Sequence, residues 1–482
     1  MSLAKGAARG AAWNFVTVLA ERSFGFVILG LLLRVIPASV VGLIAIASAI
    51  SDLARIVANT GASEQVQASP GDRDVEAGAF WSQFLASLAL LAVLLVTAPL
   101  IAGLYHAPQL SLVLRVMGVN VVLTAFLIVP AARLETRFDF RSLGLISLGS
   151  TMAGGLVALP FAFSGHGIEA LMYQRVVGVA FFAVVASAVA RWVPPRPPTL
   201  KVLGESFRFS LPLMQAAFVD YFALTGYVML AGLRMPVAAL GEFRIGQRLV
   251  EVVQEIAFMP ARKVFLPVFV AVRHDLERRY ETTRQMLDLL SVIIFFVCAV
   301  CGAAAGPIVT LMFGAKWAVA GPVFAILTLM APAVALYGAV NPLLTAAGRT
   351  TLVSHYALAN AATIALATWF GAPYGLLVLS WALAGRGVVA LGLFLNAMRQ
   401  GLERPALPFL RMLAMPALAL CAARLAGWAV LRMMAGQGAF VQLIVGGGVA
   451  ALVFGAVALS LSPARVRTMM LRLFTALRGR AA

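Results

Sequence analysis

The chain has 482 residues, of which 62% are hydrophobic and only 12% charged, and its mean hydropathy is +0.96. A soluble globular chain carries about 45–50% apolar and about 25% charged residues, and so few charges could not cover this much apolar surface. The composition excludes a cytoplasmic enzyme, a DNA-binding protein and a disordered scaffold, and leaves an all-α polytopic membrane protein. The 37 Lys and Arg against 19 Asp and Glu give a net charge of +18. In a soluble chain that would suggest nucleic acid; in a membrane chain the first cause is the cytoplasmic bias of Lys and Arg, so no nucleic-acid partner is expected.

A span needs about 20 mostly apolar residues. In chain order such runs fall near 11–33, 40–58, 80–104, 111–131, 143–163, 168–190, 207–232, 242–260, 287–312, 320–346, 352–371, 374–397, 408–431 and 439–461. These make about fourteen transmembrane helices. The first is expected to be retained, since no short apolar region with a small-residue cleavage site follows the basic start. With a cytoplasmic N-terminus, 25 of the Lys and Arg collect on the cytoplasmic side and four (Arg34, Arg234, Lys316, Arg432) on the other. That split supports both the count and the orientation, with N- and C-termini cytoplasmic. The remaining eight lie inside spans: Arg22, Arg55, Arg115, Arg175, Arg244, Arg248, Arg386 and Arg424. Topology does not account for them, and each is costly at a helix centre, at about 2.5–3.5 kcal/mol on the insertion scale.

The loops on the non-cytoplasmic side are short and hold no room for a catalytic domain. The larger polar segments, 59–79, the Pro-rich 191–206 and 261–286, are cytoplasmic, and 272–285 reads as a solvated helical extension. The basic tail, 465–480, reads as a contact with the anionic inner leaflet.

Two halves repeat. Arg34, Pro37 and Gly42 after span 1 match Arg234, Pro236 and Gly241 after span 7, at an offset of 199 residues from Gly42 to Gly241. The same offset carries Glu21 to Asp220 and Asp52 to Glu251. Further on, Pro99 to Tyr105 is echoed by Pro307 to Phe313, and Pro130–Arg137 by Pro342–Arg349. Six spans separate the repeats, so the halves share orientation and are related by an axis along the membrane normal. The expected organisation is a six-helix lobe over 1–198, a second over 199–400, and a helix pair with a basic tail over 401–482. Transporters built this way hold substrate between the halves and alternate access by rocking.

Polar stripes mark the repeat-equivalent spans. In span 8, Arg244, Arg248, Glu251 and Glu255 share one face, opposite Ile245, Leu249, Val252, Val253 and Ile256. Span 2 carries Ser48, Ser51, Asp52, Arg55 and Asn59; span 1 carries Asn14, Thr17 and Glu21 with Arg22 beside them; span 7 carries Gln215, Asp220 and Thr225. One reading is internal ion pairing that holds the bundle, since Arg248–Glu251 and Asp52–Arg55 can pair along their own helices. The other is a water-filled lumen in which Arg22, Arg55, Arg244 and Arg248 bind an anionic head group. Arginine suits bidentate phosphate contacts. Glu21, Asp52, Asp220, Glu251 and Glu255 would then bind a coupling cation or tune the arginines. His106, His166, His274 and His355 do not cluster, and Cys298, Cys301 and Cys421 sit in apolar runs as packing residues, so neither a metal nor a cofactor is expected. No P-loop, nucleotide fingerprint or nucleophile elbow is present.

Several landmarks, in order, resemble the polysaccharide and O-antigen flippases of the multidrug/oligosaccharidyl-lipid/polysaccharide exporter superfamily. They are the Pro37–Gly42 turn, Gly61 through Gln67, Ala79-Phe80-Trp81, and Gly165-His166-Gly167 with Ala170, Leu171 and Gln174. Ser210-Leu211-Pro212, Leu240-Gly241, Val264-Phe265-Leu266-Pro267, Gly314-Ala315-Lys316-Trp317 and Ala347-Gly348-Arg349 complete the series. Gly314 to Trp317 is the most specific, and the resemblance covers roughly residues 5–400. It implies a non-enzymatic transporter of the bacterial inner membrane. Such a protein moves a polyprenyl-diphosphate-linked oligosaccharide to the periplasmic leaflet through a cationic cavity, driven by an ion gradient. Membrane lipid and the polymerase and glycosyltransferases of the pathway are the implied partners. Many members have Asp just before the glycine after span 2; this chain has Asn59. A drug/cation antiporter and a lipid II flippase of the same superfamily stand as alternatives, as does a polysaccharide polymerase or ligase, which would need a large outer loop.

Overall fold

The chain is all-helical where its structure, a computed structural model, describes it: residues 3–58 and 61–461, with no strands among them. The side chains of 3–12, 14–16, 211–213, 215–216, 219–220, 223–224, 256–264 and 350 fall outside that description. Asn59 and the 465–480 tail also lie outside the described residues, as do the side chains of Asn14, Leu211, Pro212, Gln215, Asp220, Ile256 and Val264.

The helices are α1 (Leu3–Val35), α2 (Ala38–Ala58), α3 (Ala62–Ala68), α4 (Arg73–Leu104), α5 (Gln109–Thr136) and α6 (Phe140–Phe163). They continue with α7 (Gly167–Ala190), α8 (Leu200–Leu224), α9 (Tyr227–Arg234), α10 (Val237–Ala271), α11 (Leu276–Ala303) and α12 (Ala305–Phe313). The last are α13 (Ala320–Leu327), α14 (Ala331–Ala346), α15 (Thr350–Gly371), α16 (Leu376–Leu402), α17 (Leu407–Met433) and α18 (Ala439–Leu461). Ten of the described helical stretches are long and apolar enough to cross a membrane by length and composition. With α1, α8–α9, α10 and α15 they match the fourteen expected spans. In a bilayer every backbone group must be satisfied within the chain, and a helix does so locally. Side chains such as Val96, Leu100, Val388 and Leu452 stand three-quarters exposed on the outer faces, where lipid rather than protein would cover them.

Three spans read as single helices are interrupted, and residue chemistry explains each. Span 9 divides at Ala304, because the ring of Pro307 clashes with the carbonyl four residues earlier, that of Ala303. Span 10 divides in the same way, with a 3-10 turn over Thr328–Met330 four residues ahead of Pro332. Span 7 breaks at Thr225-Gly226, two poor helix formers in sequence. The 59–79 segment, expected only as a polar connection, contains α3. The 272–285 segment is helical from Leu276, but Arg279 is 5% exposed, so that stretch is not wholly solvated.

The chain divides into two compact units, Met1–Gly241 and Glu242–Ala482. In the first, α5 packs on α2, α4 and α7, α6 on α1 and α7, and α2 on α8 and α9. An aromatic cluster of Phe80, Phe84, Phe126 and Trp192 closes one end of this unit. The Trp81 indole N–H donates to the Pro195 carbonyl at 2.9 Å, so the Pro-rich segment is docked rather than free. At the other end the buried Tyr105 hydroxyl donates to the Met229 carbonyl at 3.0 Å, and burial pushes the phenol up to about 12. Within the same unit Gln65 Nε2 donates to the Ser206 carbonyl and to Ser210 Oγ, fixing α3 against α8. In the second unit α11 packs on α14, α17 and α18, and α16 on α14 and α15. The expected C-terminal helix pair is thus packed into this unit. Gly314, at φ +95° and ψ 166°, turns the chain from α12 so that Trp317 is buried.

Two interactions in the first unit have measurable worth. Glu76, 3% exposed in the first turn of α4, receives both Nε and Nη2 of Arg133 from the last turn of α5. Each charge also opposes its own helix dipole favourably. Removing one partner leaves the other charge uncompensated. Glu76→Ala should therefore destabilise the protein by roughly 3–5 kcal/mol, read as a lowered thermal midpoint in detergent, and Glu76→Leu with Arg133→Leu should recover most of it.

The second interaction joins the two repeated turns. Gly42 lies so close to Val237 that a Cβ there would overlap the Val237 carbonyl, and a Cβ on Gly241 would overlap that of Ala38. Ala38 and Val237, like Gly42 and Gly241, are one repeat offset apart, so the contact is reciprocal. It is the small-residue approach of membrane helices, in which absent side chains let backbones touch. Gly42→Val should cost about 1–3 kcal/mol by overpacking, while Gly103→Ala, at a glycine with open space around it, should leave the thermal midpoint unchanged.

Candidate functional site

The stripe on α10 forms as a cluster. Helical spacing puts Arg244, Gln247, Arg248 and Glu251 on one side, while Ile245, Leu249 and Val253 on the other are buried. Arg244 Nη1 donates to Gln247 Oε1 at 2.7 Å and reaches Glu251 Oε1 at 3.3 Å. Arg248 Nη1 donates to Glu251 Oε2 at 2.9 Å. One carboxylate is shared by two guanidinium groups, and all three side chains are between a fifth and about a third exposed. The group keeps a formal surplus of one positive charge. Glu255, one turn further, is exposed. Gln247 belongs to the cluster and did not feature in the sequence stripe, although its place three residues after Arg244 signals it.

On α2, Asp52 and Arg55 pair along the helix at 3.5 Å, with side chains 36% and 55% exposed. The expected stripe divides here. Ser48 and Ser51 are buried, and their hydroxyl oxygens find no partner among the described residues. On α1, Thr17 lies on the expected face, but there α6 covers it. Its side chain is 4% exposed against Gly144 of α6, and Oγ1 donates to the Trp13 carbonyl at 3.1 Å. A threonine that bonds its own preceding turn needs no water, so it packs between helices. Glu21 is half-buried and Arg22 exposed. On α8, Tyr221 donates its hydroxyl to the Ala49 carbonyl, which holds the neighbourhood of Asp220 against α2.

The structure therefore brings Arg244, Arg248 and Glu251 together, and separately Asp52 and Arg55. Of the other arginines within spans, Arg386 donates to Asn360 Oδ1 at 2.9 Å and Arg424 to Thr328 Oγ1 at 3.0 Å. Among the described residues no three His, Cys, Asp or Glu gather as metal ligands.

Residues 31–322 match a family described as polysaccharide biosynthesis protein. The chain is 23% identical over 376 residues to the succinoglycan biosynthesis transport protein ExoT of Rhizobium meliloti (strain 1021), covering 78% of this chain and 76% of that protein. It is 22% identical over 288 residues to the teichuronic acid biosynthesis protein TuaB of Bacillus subtilis (strain 168), 58% of each. Among solved structures, the lipid II flippase MurJ in an inward closed conformation superposes with a TM-score of 0.73 at 13% identity, over 93% of this chain and 98% of that one. An inward-facing multidrug resistance MATE transporter of the MOP superfamily gives 0.62 at 12% identity, over 81% and 99%. The architecture is thus that of these transporters, and α10 with its arginine pair lies within the matched segment. By sequence, fold and the position of its intramembrane charges, the chain is a multi-pass membrane protein that belongs to the polysaccharide biosynthesis protein family.

Proposed function

We propose that this protein is a flippase that carries a polyprenyl-diphosphate-linked oligosaccharide across the bacterial inner membrane, for O-antigen, capsule or exopolysaccharide synthesis. The observation that carries the reading is the Arg244–Arg248–Glu251 cluster. Two guanidinium groups gathered on one carboxylate concentrate cationic donors inside a span, where arginine is costly without acceptors. A diphosphate offers acceptors for the donors that Glu251 does not use. A cationic drug would be repelled by the same surplus. The relatives' names support a polysaccharide precursor, since one is a succinoglycan transport protein and the other serves teichuronic acid synthesis.

In this reading Arg22 and Arg55 complete the cationic lumen with Arg244 and Arg248, while Glu21, Asp52, Asp220, Glu251 and Glu255 tune them or bind the coupling ion. The lobes 1–198 and 199–400 are related by an axis along the membrane normal and rock to alternate access, with 401–482 appended. The reciprocal contact of Ala38 and Gly42 with Val237 and Gly241 supports that symmetry. The arginine-rich side is cytoplasmic, both termini lie there, and the ion gradient drives transport without catalysis by the chain. The pathway's polymerase and glycosyltransferases act on either side of the step.

Deletion should leave lipid-linked repeat units inside the cell. Complementation with Arg244→Gln/Arg248→Gln should restore export at least about tenfold less well than wild type, since each lost charge-assisted bond is worth roughly 1.5–3 kcal/mol. Normal export by the double variant at wild-type protein level would refute the assignment.

A further inference from the structure

A second cationic site lies far along the chain from α10, where α14, α16 and α17 meet at one end of the second unit. A cavity of about 680 Å³ opens there, lined by three arginines, Arg349, Arg399 and Arg404, and one acid, Glu403. Cavities of roughly 300–1,000 Å³ are the size that takes small ligands. Two of the arginines are already engaged. Arg349 binds Glu403 at 2.7 Å and the Gln400 carbonyl at 2.6 Å, which also caps the C-terminus of α16. Arg404 binds Glu277 at 2.6 Å and lies over the Tyr280 ring, 5.6 Å from its centroid.

Arg399 differs from both. It is exposed on α16 and pairs with no acid among the described residues, so its five donors face the cavity and solvent. Glu403 holds left-handed backbone, φ 55° and ψ 27°, a conformation uncommon for a residue other than glycine. It caps α16 in that form while its carboxylate fixes Arg349. On the facing wall α17 begins at Leu407 with no side-chain cap at Ala406. Leu395 and Leu407 add an apolar lip, and Leu407 is 61% exposed.

A charged floor with an apolar lip, at the water-facing end of three spans, matches a phosphate carried on a hydrocarbon chain. We propose that this cavity binds the phosphate head group of a lipid, with Arg399 as its main ligand and Arg349 and Arg404 in support. The lipid's chain leaves past Leu395 and Leu407. The site lies wholly in the second unit and stands independently of the lumen reading of α10. A membrane phospholipid, a prenyl diphosphate and free phosphate share the recognised group, and the test separates them.

The purified full chain is titrated by native mass spectrometry with phosphatidylglycerol, with phosphatidylcholine, with farnesyl diphosphate and with inorganic phosphate. Arg399→Gln is the variant, since Arg399 holds no partner whose loss would unfold the protein. Arg411→Gln, outside the cavity lining, is the control. Phosphatidylglycerol should bind the wild type and Arg411→Gln alike and Arg399→Gln about tenfold more weakly, with phosphatidylcholine weak throughout. Displacement by farnesyl diphosphate but not by inorganic phosphate supports a lipid and admits a prenyl diphosphate as the occupant; failure of both to displace it supports a phospholipid alone. The proposal is overturned if inorganic phosphate displaces it at equal concentration, if Arg399→Gln binds every phosphate probe as the wild type does, or if phosphatidylcholine binds as tightly as phosphatidylglycerol.

Discussion

A guanidinium placed in a bilayer must find an acceptor, and that demand organises this protein. Lipid supplies none, so each arginine within a span has to be matched by the chain, by water or by a ligand. The chain meets the demand in graded ways. Just beyond a span, Arg133 in the last turn of α5 is met by the buried carboxylate of Glu76. Arg386 and Arg424 have neutral oxygen partners in Asn360 and Thr328. Arg244 and Arg248 divide one carboxylate between them. The first arrangement is closed and holds helices together; the last is open by one charge.

Backbone continuity obeys the same constraint. A helix break in a membrane frees carbonyl and amide groups that must be satisfied again. The breaks at Ala304, Thr328–Met330 and Thr225-Gly226 all follow from proline or glycine chemistry. At the second break Thr328 donates to the Ala325 carbonyl and accepts from Arg424. An arginine that looks anomalous in an apolar run thus serves, in part, the discontinuity facing it.

Much of this was legible in the residues. Period 3.6 and span length fixed the helices, and the side bias of Lys and Arg fixed their number. The α10 cluster could be read from spacing alone, because Arg244, Arg248 and Glu251 lie on one helix and need no tertiary information. The glycine pair was visible as a repeat, although not as a contact: that Gly42 and Gly241 touch depends on how two distant turns meet. Thr17 was misread for a related reason. Periodicity says which face a residue occupies but not what covers that face, and here α6 covers it. The Pro-driven breaks were readable in principle from Pro307 and Pro332, but a hydropathy window averages across them. The cavity at Arg399 could not be seen at all, since its walls come from residues 349, 395–400 and 403–407 and need three helices to converge.

Charge therefore has two separate meanings in this chain. The abundant arginines at span ends are the kind that bias orientation in membrane proteins generally, where single substitutions among them are absorbed by the rest. The few that remain over-supplied after local pairing cannot be explained as topology. Arg244 and Arg248 share one carboxylate inside a span, and Arg399 lines a cavity at a span end. Both places present guanidinium groups beside apolar surface, the combination that a phosphate on a long hydrocarbon chain requires. On the two proposals made above, the chain would offer guanidinium groups to one kind of ligand at two places. A protein that handles a lipid-borne anion has reason to offer it a cation both at the membrane's edge and within the span, because at neither depth can water or lipid alone hold the head group and its chain together.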